Sequence, residues 1–268
     1  PVLQQVEHFN NPNITQNDAF KYVTRYFDRI TRPEQILQTF PQAIQTMIDP
    51  ADCGPACISL SQDVQGETFD YPEEFFNEKI HAIRRPRPDD YQIKQAADLI
   101  KKSKNPIIIS GGGIFYSDAM KELSQFAKKH NIPTAQTVMG YSTMKKDDPY
   151  FLGAIGGFGG KATNNFMKKT DLAIAVGTKL ADFTTGSWSN FENPNFKLVS
   201  INVSRFDANK HMAESVVGDA KVSLLDISNA LGNWKAPDDW YKKSREALNS
   251  WNNYLDKESG PTLSLIHI

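Results

Sequence analysis

At 268 residues the chain is long enough for one large domain or two smaller ones, and its 40% hydrophobic and 23% charged content is ordinary for a globular protein. A formal net charge of −1 leaves no basic excess for nucleic acid or an anionic membrane surface, and no apolar run approaches the roughly 20 residues that span a bilayer. The two cysteines, Cys53 and Cys57, match neither a C-x-x-C redox pair nor a four-ligand zinc set, and fit a reducing cytoplasm with buried or idle thiols.

Residues 1–17 are polar and rich in Asn and Gln, and read as a loop entering a fold. Aromatic and apolar residues between Asp18 and Ile30 have mixed periodicity and give no clear element. Pro33 and Glu34 suit a first helical turn, and Ile36, Leu37, Phe40, Ala43, Ile44, Met47 and Ile48 supply an apolar stripe, which Pro41 should kink. Residues 54–60 read as a strand, and residues 61–66 as the polar turn at its end. Residues 67–90 are acidic and aromatic, then rich in Pro and Arg, which predicts an exposed linker through Arg84, Arg85 and Arg87 and a domain boundary near residue 88.

Asp90 is a plausible N-cap for a helix over 91–103, with Ile93, Ala96, Ala97 and Ile100 at helical spacing. Ile107, Ile108 and Ile109 form an unbroken apolar run that suits a parallel strand buried on both faces, and it enters three consecutive glycines. Met120, Leu123, Phe126 and Ala127 then mark a helix. Further strands are predicted at 133–138, 171–177 and 197–202, with 139–150 as a loop and a glycine-dense turn at 153–160 leading into a helix at 161–169. Helices are predicted at 221–231, with a stripe through Val222, Leu225 and Leu231, and at 238–256, with Trp240, Leu248, Trp251 and Leu255 on one side. Strands alternating with helices at this spacing mean an α/β fold with a doubly wound, mostly parallel sheet.

In such sheets ligands bind at the carboxyl ends of the strands, which selects Gly111, Gly112, Gly113, Gly177, Thr178, Asn202 and Asp207 as candidate ligand-binding residues. The three-glycine turn fits either an anion cradle or a tight turn packed on its neighbour. Gly157-x-Gly159-x-x-Ala162 matches a dinucleotide fingerprint only weakly, without a clear preceding strand. The five histidines are scattered, no serine sits in a Gly-x-Ser-x-Gly elbow, and no metal or catalytic group stands out.

Several stretches together resemble the thiamine-diphosphate-dependent enzymes. Asp63-Val64-Gln65-Gly66-Glu67 and Tyr71-Pro72-Glu73-Glu74-Phe75-Phe76 are similar to the end of that family's pyrimidine-binding domain. Asn105-Pro106 to Gly113, Asp171 to Gly177, and Ile201-Asn202-Val203-Ser204-Arg205-Phe206-Asp207 are similar to its middle domain. Ser61, where the family usually has proline, and Pro41 depart from the pattern. The combination most resembles the branch that opens trihydroxycyclohexane-1,2-dione by C–C hydrolysis in myo-inositol catabolism.

The resemblance implies the end of a pyrimidine domain plus linker over 1–88, a Rossmann-like middle domain over 89–235 and, over 236–260, the start of a linker to a missing C-terminal domain; the last residues continue no pattern and read by themselves as translated sequencing adaptor, a non-native tail at 261–268. It implies thiamine diphosphate and Mg2+ held by segments outside this chain, so that no catalytic residue is carried over and the chain alone is inactive. FAD or ADP binds the middle domain of some relatives and is not expected here. A small cyclic dione substrate, a cytoplasmic homo-oligomer (dimer or tetramer), and no nucleic-acid or membrane partner complete the expectation. The alternatives are an FAD-containing carboligase of the acetolactate-synthase type and a stand-alone nucleotide-binding module.

Overall fold

The computed structural model describes residue 10 and residues 14–258. The adaptor-like tail expected at 261–268 lies outside the described residues. The chain divides into two compact units, Pro1–Arg84 and Arg85–Ile268.

In the first unit, β1 (Tyr26–Ile30) and β2 (Ala56–Leu60) pair in parallel with Tyr26 opposite Ala56, and α1 (Ile36–Ile48) connects them. The turn between β1 and α1 is organised by Gln35, whose Oε1 accepts from the Thr31 amide at 2.6 Å and the Arg32 amide at 2.9 Å. Helix α1 runs through Pro41, and its buried positions are Thr39 and Ala43. Phe40 and Met47, expected in the core face, are exposed. Phe40 instead meets Phe75 edge-on, and Phe75 belongs to an aromatic cluster with Tyr71 and Phe76. Of the thiols expected to be buried or idle, Cys53 is exposed and Cys57 partly so, and both are free.

The second unit begins with α2 (Asp90–Lys102). Its N-cap is Asp89 rather than Asp90: the Asp89 carboxylate accepts from the Gln92 amide at 2.9 Å. The order then runs β3 (Pro106–Ser110), α3 (Gly113–Tyr116), α4 (Met120–His130), β4 (Thr134–Gln136), β5 (Phe151–Ala154), α5 (Lys161–Met167), β6 (Leu172–Val176), α6 (Asp182–Thr185), β7 (Lys197–Asn202), α7 (Arg205–Ala208), β8 (Glu214–Val217), α8 (Ala220–Leu231) and α9 (Asp238–Glu258). All six strands are parallel, in spatial order β5-β4-β3-β6-β7-β8. This is the doubly wound order, with its switch point between β3 and β6.

The pleat sorts the apolar runs to two faces. Ile108, Ile174, Val199 and Val216 face a core completed by α2, α4 and α8, whereas Ile107, Ile109, Ala173 and Ala175 face one completed by Phe166, Met167 and Trp240. Two edge strands, β5 and β8, were absent from the sequence reading. On α8 the buried face is Ala220, Leu224, Ile227 and Leu231, while Leu225 is exposed. On α9, Trp240 is buried and Leu255 is exposed. Arg84, Arg85 and Arg87 are exposed, as expected, and the segment is also tethered: Arg85 pairs with Asp219 and Arg87 with Asp226.

Candidate functional site

The parallel sheet brings the predicted residues together. Gly111 to Gly113 follow β3, Gly177 and Thr178 follow β6, Asn202 ends β7, and Asp207 lies on α7. Since β3 pairs with β6 and β6 with β7, all seven stand at the carboxyl edge beside the switch point.

Their polar atoms are directed at one another. Gly111 N–H donates to Val176 O and Gly113 N–H to Gly177 O, each at 2.9 Å, so two of the three glycine amides bind the neighbouring strand end. Gly177 N–H donates in turn to Ile201 O at 2.9 Å. Asn202 Nδ2 donates to Thr178 O at 3.3 Å, and Asn202 Oδ1 accepts from the Ser204 amide at 3.0 Å. Thr178 Oγ1 accepts from the Leu180 amide at 3.3 Å. Asp207 is paired with Lys210 at 2.6 Å, and Lys210 also stands over the Phe206 ring, 4.7 Å from its centroid.

The glycines are required by backbone crowding. A Cβ on Gly113 would lie 2.6 Å from Gly177 Cα, and one on Gly111 would lie 2.6 Å from Thr178 Cβ. Gly177 itself has φ +61°, where a side chain is strained. From the other side, the segment after β4 folds over the turn: Thr137 N–H donates to Ser110 O at 2.9 Å, and Ser110 Oγ meets Thr143 Oγ1 at 2.7 Å. A Cβ on Gly112 would stand 3.1 Å from Met139 O. An anion cradle needs several unspent N–H groups converging on one point, and this turn spends them on protein.

The second glycine stretch behaves in the same way. Gly157 N–H donates to Phe183 O at 2.7 Å, and the Asn164 side chain bonds both Gly156 N, at 2.9 Å, and Gly156 O, at 3.0 Å. Strand β5 does precede the Gly157-x-Gly159 motif, but a Cβ on Gly159 would lie 2.5 Å from Ala154 O, so that glycine serves a tight turn. Sequence reading found the glycines but missed their partners, the segments around Met139 and Phe183.

Among the described residues no three His, Cys, Asp or Glu side chains are grouped to hold a metal ion, and no helix is long and apolar enough to cross a membrane. A separate open groove of about 670 Å³ lies between α5 and α9, lined by Lys161, Asn165, Lys169, Trp251 and Tyr254 among others. It is built from helix surfaces and shares none of the seven strand-end residues.

Residues 93–227 match the family model described as thiamine pyrophosphate enzyme, central domain. The chain is 46% identical over 231 residues to the 3D-(3,5/4)-trihydroxycyclohexane-1,2-dione hydrolase of Clostridium perfringens (strain 13 / Type A), covering 86% of this chain and 36% of the relative. It is 44% identical over 257 residues to the hydrolase of the same name from Clostridium tetani (strain Massachusetts / E88), covering 96% and 40%. To that of Geobacillus thermodenitrificans (strain NG80-2) it is 42% identical over 257 residues, again covering 96% and 40%. The chain therefore spans about two fifths of the length of the curated relatives it matches.

Proposed function

Because the chain belongs to the thiamine pyrophosphate enzymes through their central domain, we propose that it is the middle part of a longer hydrolase acting on trihydroxycyclohexane-1,2-dione. The observation that carries this reading is identity above 40% along 86–96% of the chain to relatives named for that one activity. In this reading the enzyme opens the ring by hydrolysing a C–C bond during myo-inositol breakdown, as a cytoplasmic homo-oligomer.

The described residues do not fit thiamine diphosphate or its magnesium ion. The glycine turns are filled by neighbouring backbone, the strand-end polar groups are paired, and no carboxylate cluster is present among the described residues. We therefore assign cofactor and metal to polypeptide outside them, and assign Gly111, Gly113, Gly177, Thr178, Asn202 and Asp207 to holding the strand ends of the central domain. The same filling of the turn argues against FAD or ADP as a resident ligand.

The test is turnover of the dione by the longer protein supplied with thiamine diphosphate and Mg2+, beside the 268-residue chain under the same conditions. Ring opening by the longer protein alone is expected. Failure of the longer protein to consume the dione, or turnover by the 268-residue chain itself, would overturn the proposal.

A further inference from the structure

The carboxyl edge of the second unit carries its apolar side chains outward. Met139 and Tyr141 follow β4, Phe158 follows β5, Phe183 follows β6, and Phe206 follows β7; each is between 72% and 79% exposed. Because all the strands are parallel, these connections emerge at one edge. Phe158 and Phe183 stack on each other with ring centroids 5.8 Å apart and an interplanar angle of 19°, yet both rings remain open to solvent.

These side chains sit on connections that are held in place. Gly157 N–H to Phe183 O at 2.7 Å and the paired bonds from Asn164 to Gly156 fix the Phe158 turn against α6. The bonds from Thr137 and Thr143 to Ser110 fix the Met139 turn over β3. An exposed apolar surface on pre-ordered backbone gives up little entropy when it is covered. At roughly 150–250 Å² per large side chain, these five residues present on the order of 800 Å² of accessible surface, comparable with the share of one partner in a standard protein interface.

The chemistry of the edge selects the occupant. A phosphate-bearing ligand would need free amides or cations, and the amides of Gly111, Gly113 and Gly157 and the side chains of Asn202, Asp207 and Lys210 are already paired. Beside the exposed Lys179 and Arg205, the large side chains that remain outward are apolar, which suits the apolar face of another folded polypeptide. The chain accounts for only 36–40% of the length of its relatives. We propose that this crown of Met139, Tyr141, Phe158, Phe183 and Phe206 is the surface on which the remaining polypeptide of the longer hydrolase docks. The inference rests on the reading of the chain as part of that longer protein.

Hydroxyl-radical footprinting read by mass spectrometry tests it, because Met, Phe and Tyr are labelled in proportion to their exposure. Labelling of Met139, Tyr141, Phe158 and Phe183 is expected to fall about tenfold in the longer protein relative to the 268-residue chain, as burial in an interface core requires. Leu225, exposed on α8, should label equally in both and serves as the internal control. Equal labelling of the crown in the two proteins overturns the proposal. So does protection that appears in the 268-residue chain as its concentration is raised, which would make a second copy the occupant, or protection on adding ADP or FAD. Protection without dione turnover keeps the docking surface and removes the proposed activity, and turnover without protection does the reverse. A natural reading frame ending with these 268 residues removes both.

Discussion

Gly113 and Gly177 meet backbone to backbone: a Cβ on residue 113 would stand 2.6 Å from Gly177 Cα, and one on residue 177 would stand 2.6 Å from Gly113 Cα. The crossing locks the ends of β3 and β6 at the switch point of the sheet. Gly113→Ala is expected to cost about 1–3 kcal/mol of stability through overpacking, and Gly177→Ala about 2–4 kcal/mol because its φ of +61° adds backbone strain. Gly232 also has φ +61° but nothing within 4 Å of its would-be Cβ, so Gly232→Ala should cost only the backbone part, about 1–2 kcal/mol. Urea midpoints of the three variants read the ranking directly. A Gly232→Ala loss as large as that of Gly177→Ala would show that crowding at the crossing contributes nothing.

Asp219 joins two roles in one buried carboxylate. It caps α8 by accepting from the Lys221 amide at 3.0 Å and the Val222 amide at 3.4 Å, and it pairs with Arg85 at 3.1 Å. Arg85 also donates to Ser117 O, so the segment entering the second unit is tied to α8 and to the turn after α3. Asp219→Ala is expected to cost about 2–4 kcal/mol, since it removes the cap and strands a partly buried guanidinium. Asp219→Asn keeps a capping oxygen and should lose about half of that. A double-mutant cycle with Arg85→Ala should return a coupling of about 1 kcal/mol, and a coupling of zero would reduce the ion pair to a bystander.

The sheet centre was legible because burial on both faces writes continuous apolar runs, as in Ile107–Ile109 and in Leu172–Val176. The edges were not. Strand β5 contains a glycine and β8 begins Glu-Ser, and an edge strand pairs on one side only, so neither carries a strong pattern. The face of α8 was misread because Ala220 and Ser223, small enough for close approach, take buried positions that a search for large apolar residues passes over. At the strand ends the residue types were visible but their partners were not. Thr178, Asn202 and Asp207 bond to groups within a few residues or on the adjacent strand, and residue type does not say where a short polar side chain sends its hydrogen bond.

Trp240 fastens α9 to the sheet. Its indole N–H donates to Pro106 O at 2.8 Å, and its ring stacks on Phe166 with centroids 4.0 Å apart. Trp240→Phe keeps the ring contact but leaves a buried carbonyl unpaired, for an expected loss of about 1–3 kcal/mol. Trp240→Ala also opens a cavity and should cost about 3–5 kcal/mol. Hydrogen exchange adds a local reading: amides of α9 should exchange faster in Trp240→Ala while those of α2 change little. Unaltered exchange along α9 would mean that other contacts hold the helix.

His130 is fully buried where α4 meets the segment after α8, and its hydrogen bonds assign one tautomer. Nδ1 lies 2.8 Å from Trp234 O, which can only accept, so Nδ1 carries the proton; Nε2 lies 2.9 Å from Ser228 Oγ and accepts from that hydroxyl. Lys129 Nζ donates to the same Ser228 Oγ at 3.0 Å, leaving the hydroxyl proton for the ring. Burial depresses the pKa of His130 below its ordinary 6.5; the Trp234 carbonyl opposes this, and the nearby charges of Lys129 and Lys235 reinforce it. The ring is therefore neutral in the fold, while the unfolded chain takes up a proton as pH drops through about 6.5. The stability held above that pH is lost progressively as pH falls from there through the lower folded value. Urea midpoints at pH 7.5 and 5.5 should show a larger acid-side drop for the native chain than for His130→Gln, which cannot take up that proton. Parallel pH profiles for the two proteins would place the acid sensitivity elsewhere.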